Sequence, residues 1–171
     1  MNILYEDVKI KYKTGMYGGK FLPMHKGHLY CVEQASKLCD KLYLLLFWGG
    51  VAEEYIRKSD NRKMLQIVNR FLQVTKVSLM FDNVIPRFIN ISTCRLPSGG
   101  EDWDAETPLV IQSCGHFDAV FSSEPSYSDY FNRAYPWADH ILIDPLRKEI
   151  PISATEIRDK LSEDEQKEWI I

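Results

Sequence analysis

No apolar run in the 171 residues approaches the ~20 needed to cross a bilayer as a helix, so a membrane partner is not expected. The chain also has no basic surplus. A formal charge of −3 argues against a protein that holds nucleic acid on a broad basic face, so any phosphate must be held locally. Cysteine is scarce: Cys31, Cys39, Cys94 and Cys114 do not have the short paired spacings of a zinc site, and a chain this long needs no disulfide staples. Internal repeats, low-complexity tracts and linker-like stretches are missing as well. Met1 to Lys13 carries Glu6, Asp7 and several lysines in place of the apolar core of a secretion signal. The expectation is one cytoplasmic domain with a single sizeable core.

What the sequence does contain is short apolar runs alternating with helical patterns. Leu42 to Trp48 is continuously apolar and ends at Gly49-Gly50, as expected of a parallel strand covered on both faces. Val77 to Phe81, Phe117 to Phe121 and His140 to Ile143 read as weaker strands. Helices are expected over His28 to Cys39, Asp60 to Val74 and Trp103 to Cys114, the last stopped by Gly115. In the second, Leu65, Val68, Phe71 and Leu72 recur at helical spacing and suggest its buried stripe. This order predicts an α/β fold, a Rossmann-like open, mostly parallel sheet with helices on both faces and ligands at the carboxyl ends of its strands. Ahead of the domain, taken as 14–171, lies an extension over residues 1–13. Its Val8 to Lys13 alternates apolar and polar residues, which fits an added edge strand or a homo-oligomer contact, or else a frayed end.

The segment Gly18-Gly19-Lys20-Phe21-Leu22-Pro23-Met24-His25-Lys26-Gly27-His28 closes a β-like stretch and opens a helix. Glycines there let backbone approach a ligand, and a helix start presents free N–H groups and a positive dipole end to an anion. Lys20, His25 and His28 add three nitrogen donors, a set suited to a triphosphate. A plain strand-to-helix turn would also accommodate an H-x-x-H pair. Metal ligation is disfavoured, because neither a carboxylate nor a third histidine accompanies the pair.

Far downstream, Pro151-Ile152-Ser153-Ala154-Thr155-Glu156-Ile157-Arg158 reads as a helix start. Ser153 and Glu156 suit a capping box, with Ile152 and Ile157 as its hydrophobic staple. The cap does not require Thr155 or Arg158. Both could face an anion at the helix start.

The first segment matches G-x-F-x-P-x-H-x-G-H and so resembles the signature of the HxGH nucleotidyltransferases. The second is similar to the I-S-x-T-x-x-R motif of the same superfamily. The resemblance runs from about Thr14 to Leu161 and implies a Rossmann-like fold in which the two histidines contact nucleotide phosphates. Phe121 to Tyr127, Asp144 to Arg147 and Gly19 to Phe21 further resemble the NadR-type nicotinamide mononucleotide (NMN) adenylyltransferases, which make NAD from ATP and NMN. That likeness implies phosphate contacts from Gly19, Phe21, His25, His28, Ser153, Thr155 and Arg158. It implies adenosine contacts from Ser122, Ser123 and Glu124, and NMN contacts from Trp103, Tyr127 and Arg147. Trp103 would stack on the nicotinamide ring, although a core tryptophan at a helix start is the alternative. Arg62 matches an arginine of that family or is a solvated surface charge.

Two departures stand beside the likeness. Neither the kinase domain nor the helix-turn-helix carried by some NadR-type chains is expected here. Trp48-Gly49-Gly50 stands near the point where the family tends to place an acidic residue.

The implied reaction is in-line attack of an NMN phosphate oxygen on the α-phosphorus of ATP, with pyrophosphate leaving. His28 and Lys20 would serve the α-phosphate, and His25, Thr155 and Arg158 the leaving group. Mg2+ would enter on the ATP phosphates and keep mostly water as its other ligands. Nicotinate mononucleotide and phosphopantetheine are the alternative acceptors. A sensor that binds NAD or ATP without turnover is a different class of reading, and it would have less need of the full donor set.

Overall fold

A computed structural model describes residues 10–171. Residues 1–9, and with them the start of the expected extra strand over Val8 to Lys13, lie outside the described residues. Tyr12 and Lys13 open the first core strand instead, β1 (Tyr12–Gly19). The chain then forms α1 (Lys26–Ser36), β2 (Cys39–Trp48), α2 (Val51–Ser59), α3 (Ile67–Ser78), β3 (Val84–Asn90) and α4 (Trp103–Cys114). It ends with β4 (Ala119–Ser122), α5 (Ser128–Ala134), β5 (Asp139–Leu142), α6 (Ala154–Asp159) and α7 (Glu163–Trp169).

The five strands form one parallel sheet in the order β3-β2-β1-β4-β5. The apolar β2 run divides between two cores, as its continuity predicts. Leu42, Leu44 and Leu46 join Tyr17, Val32, Ala35, Val74 and Val77 on the face covered by α1 and α3. Leu45 joins Met16, Val110, Cys114, Phe117 and Val120 on the face covered by α4 and α5. The Rossmann-like reading therefore holds, with helices on both faces. Among the described residues, no helix is long and apolar enough to cross a membrane.

Several local expectations are corrected. Val77 to Phe81 is not a strand: it is the end of α3 and the turn after it, with Leu79 and Met80 exposed. The strand is Val84–Asn90, at the edge of the sheet, where Pro86 and Arg87 interrupt the apolar pattern without breaking a ladder on the outer side. The helix expected over Asp60 to Val74 is a loop and a 3-10 turn (Lys63–Leu65) followed by α3. Its buried side is also rotated. Val68 and Leu72 are exposed, whereas Arg70, Val74 and Val77 are buried. The cause is a buried ion pair between Arg70 Nη1 and Glu53 Oε1, which turns charged side chains of α2 and α3 inward. The helix over Trp103 to Cys114 has the expected bounds, and Gly115 stops it at φ 68°, a backbone conformation that favours glycine.

Candidate active site

From β1 the chain crosses to β2 and β3 on one side, and it returns to β4 and β5 on the other. The order reverses between β1 and β4, and a crevice opens beyond their carboxyl ends. A cavity of about 320 Å3 lies there. The first motif lines it through Gly19, Lys20, Phe21, His25 and His28, and the end of β4 does so through Ser122, Ser123 and Glu124. Trp103, Tyr127 and Arg147 complete the expected residues at its wall.

The histidine pair is held by backbone. His25 caps α1, its Nδ1 accepting from the Gly27 N–H at 3.0 Å, while His28 Nδ1 accepts from the His25 N–H at 3.1 Å. Each Nδ1 is thus an acceptor, which leaves the proton of each neutral ring on Nε2. The rings stack with centroids 3.7 Å apart. Burial, with the Arg147 charge, lowers His25 to about 4, and burial, His25 and Arg147 hold His28 well below the usual range. Both are neutral donors near pH 7. Gly27 is required by this packing, because a Cβ there would lie 2.8 Å from His25 Cε1. The backbone of His25 also forms an antiparallel bridge with Ile170, which ties the chain end to the motif.

Lys20 Nζ lies 2.6 Å from Glu101 Oε2, and the same oxygen accepts from Trp103 Nε1 at 3.0 Å. Phe21, at φ 50°, meets His28 edge-on at 4.9 Å. Trp103 packs edge-to-face with Tyr127 and Tyr130, at 5.2 Å in each case. At the end of β4 the Ser122 hydroxyl pairs with His140 Nε2 at 2.7 Å and the Ser123 hydroxyl with Cys31 Sγ at 3.0 Å, and the Glu124 carboxylate accepts from the Ser126 N–H at 3.2 Å. Arg147, at φ 51°, donates to the Ile152 carbonyl at 2.9 Å.

The second motif reaches the first. Ser153 caps α6 by accepting from the Glu156 N–H, and Ile152 and Ile157 are buried beneath it, as expected of a staple. Arg158 Nη1 donates to the Leu22 carbonyl at 2.6 Å and Nη2 to Thr155 Oγ1 at 3.4 Å. Ser153, Thr155 and Arg158 do not line the cavity; Arg158 meets the first-motif loop at the Leu22 carbonyl. Arg62 is held by the Asp60 carboxylate and donates to the Arg158 carbonyl at 2.8 Å, so it braces α6 instead of pointing free into solvent.

Three groups escaped the sequence reading. Glu101 and Glu106 line the cavity, and Glu106 Oε1 is buried with no hydrogen-bond partner. Burial, with Glu101 nearby, raises Glu106 to about 7. Glu53 is the third. It accepts from the Gly49 N–H at 2.5 Å and pairs with Arg70, which donates to the Lys20 carbonyl at 2.7 Å. The sequence signal for this brace was faint: an acidic residue three positions after Gly49-Gly50. Among the described residues, no group of three or more histidine, cysteine or acidic side chains is placed to hold a metal.

The sheet reversal, the capped histidine pair and the adjoining cavity define a nucleotide-handling α/β domain. The chain belongs to the cytidylyltransferase-like family of nucleotidyltransferases, whose family model matches residues 16–160. A phosphopantetheine adenylyltransferase of Streptococcus pneumoniae (strain ATCC 700669 / Spain 23F-1) is 32% identical over 73 residues, covering 43% of this chain and 45% of the relative. The same-named protein of Streptococcus gordonii is 27% identical over 123 residues, covering 67% and 75%. Among solved structures, a NadR protein in complex with NR aligns with a TM-score of 0.63 and 22% identity, covering 95% of this chain and 45% of that one. A bifunctional NMN adenylyltransferase/ADP ribose pyrophosphatase from Francisella tularensis aligns at 0.55 and 21%, covering 87% and 42%. The matches span under half the length of the pneumococcal relative and of both solved chains. At these identities the structural likeness shows the fold.

Proposed function

We propose that the chain transfers AMP from ATP to NMN, giving NAD and pyrophosphate. The observation that carries this reading is the histidine pair: two neutral rings, their Nδ1 atoms spent on backbone N–H groups, keep Nε2–H donors at a cavity beside a helix start. Such donors suit an anion without needing to be charged beforehand. An NMN phosphate oxygen forms the new bond to the α-phosphorus while the bond to the β-phosphate oxygen breaks and pyrophosphate leaves. The nucleophile is already anionic, so no protein base is required. His28 and Lys20 align and stabilise the α-phosphoryl group. His25, Thr155 and Arg158 serve the leaving pyrophosphate, which requires Arg158 to exchange its hold on Leu22 for phosphate. Mg2+ carried on the ATP phosphates would neutralise triphosphate charge.

NMN is favoured as acceptor by the aromatic wall of Trp103, Tyr127 and Tyr130, which suits a flat pyridinium ring. Phosphopantetheine is the second reading, favoured by the streptococcal relatives. Pyrophosphate release from ATP in the presence of NMN, nicotinate mononucleotide or phosphopantetheine separates them. Release with NMN supports the first reading, and release with phosphopantetheine alone replaces it.

A further inference from the structure

On α4, one turn after Trp103, Glu106 lines the cavity with a carboxylate whose Oε1 is shielded from solvent and lacks a hydrogen-bond partner. Such an oxygen costs stability, so its surroundings ought to supply a donor. They do not, because the nearby donors are committed elsewhere. The Tyr130 hydroxyl bonds the Trp103 carbonyl at 2.8 Å and lies 2.9 Å from Thr107 Oγ1. The Lys20 ammonium is held by Glu101 at 2.6 Å. Around Glu106 the cavity wall is aromatic, with Phe47, Trp103, Tyr127, Tyr130, Phe131 and Tyr135 leaving space for a flat ring. What this chamber lacks is a hydrogen-bond donor entering with the ring.

We propose that Glu106 selects the ring substituent of the acceptor, its free Oε1 accepting the carboxamide N–H of NMN and repelling the carboxylate of nicotinate mononucleotide. The inference rests on the NMN reading above and names the residue that gives that reading its specificity. Charge supports it. Glu101 also has a buried oxygen without a partner, and its other oxygen already serves Lys20 and Trp103. A third carboxylate would enter beside two acidic side chains, with Lys20 already held by Glu101 and Arg147 bonded to the Ile152 carbonyl, whereas a neutral amide brings the missing donor. The pyridinium is common to both nucleotides, so the aromatic wall alone does not separate them.

The test uses the full chain with ATP at pH 8, above the raised range of Glu106. It compares kcat/KM for NMN, nicotinate mononucleotide and 3-acetylpyridine mononucleotide, which resembles NMN in shape and charge but has no N–H to give. The wild type should favour NMN over the acetyl analogue by about tenfold, the usual effect of a hydrogen bond to a charged group, and over the acid by more. Glu106→Gln offers its own N–H to a carboxylate and should shift the NMN-to-acid ratio about tenfold toward the acid. Asp104→Asn, on the exposed side of the same helix, should leave the ratio unchanged. Equal use of the acetyl and carboxamide nucleotides by the wild type overturns the inference without reliance on any variant. A wild-type ratio in active Glu106→Gln also overturns it, while leaving NMN adenylylation in place. Turnover of phosphopantetheine and of neither pyridine nucleotide overturns the NMN reading itself, and the role of Glu106 with it.

Discussion

Lys20 Nζ and Glu101 Oε2 stand 2.6 Å apart at the cavity wall, and that oxygen also accepts the Trp103 indole N–H. On the proposed reading Lys20 exchanges this carboxylate for the α-phosphate when ATP binds, while Glu101 keeps its hold on the Trp103 indole. Glu101→Gln removes the competing charge. ATP should bind roughly threefold tighter, a modest effect for a partly exposed pair, while KM for the acceptor rises slightly because the Trp103 N–H then meets a neutral amide oxygen in place of a carboxylate. Direct ATP titration and acceptor kinetics on one variant read both changes.

His28 and Arg158 should differ in kind. On the proposed reading His28 stands where charge redistributes as the bond to pyrophosphate breaks, so His28→Ala should cut turnover by about two orders of magnitude with little change in ATP affinity. Arg158 is expected to meet phosphates charged before and during reaction. It also holds the Leu22 carbonyl, so Arg158→Ala should weaken ATP binding and lower the melting temperature. Steady-state kinetics, binding titrations and thermal melts on both variants check this.

The histidines also set an acid limit. Their folded values lie below the ordinary 6.5, at about 4 for His25. Between pH 6.5 and 4 the unfolded chain takes up protons that the folded chain refuses, so stability falls as pH drops through that window. The loss from His25 alone is on the order of 3 kcal/mol once the window is crossed. Glu106, raised to about 7, acts in the opposite sense over part of this range, so the histidine contribution is read by difference: between pH 7 and 4.5 the urea midpoint should fall less in His25→Asn, which keeps a capping acceptor without the titration, than in the wild type.

Arg70 and Glu53 brace the first motif from below through the Lys20 carbonyl and the Gly49 N–H. Arg70→Met leaves the buried Glu53 carboxylate with only the Gly49 N–H and the more distant Arg57, at 3.7 Å, and should cost about 3 kcal/mol. Adding Glu53→Leu should recover much of that stability. It should not recover ATP affinity, because the Lys20 carbonyl stays without its guanidinium donors. Denaturation and ATP titration of the single and double variants separate the two effects.

The same pair explains where sequence patterns misled. Periodicity assigns charged residues to solvent, so Val68 and Leu72 read as part of the buried stripe, and α2, whose buried residue is Glu53, has no counterpart among the expected helices. Edge strand β3 was missed because its outward side needs no apolar run. The β2 run, the Gly115 stop and both motifs were legible, since each is written in contiguous residues with a local physical purpose. Glu101 and Glu106 were not. A missing hydrogen-bond partner is a property of the folded cavity, and along the chain these two read as ordinary acids at a helix start.

The most direct measurement follows the α-phosphate. The purified chain is incubated with ATP labelled at that phosphorus and NMN, in parallel with its His28→Ala variant. The expected result is label passing into NAD in step with pyrophosphate release, at a rate about a hundredfold lower in the variant. Label that stays in ATP with NMN present, or that moves equally fast without His28, contradicts the proposed function and its use of the histidine pair.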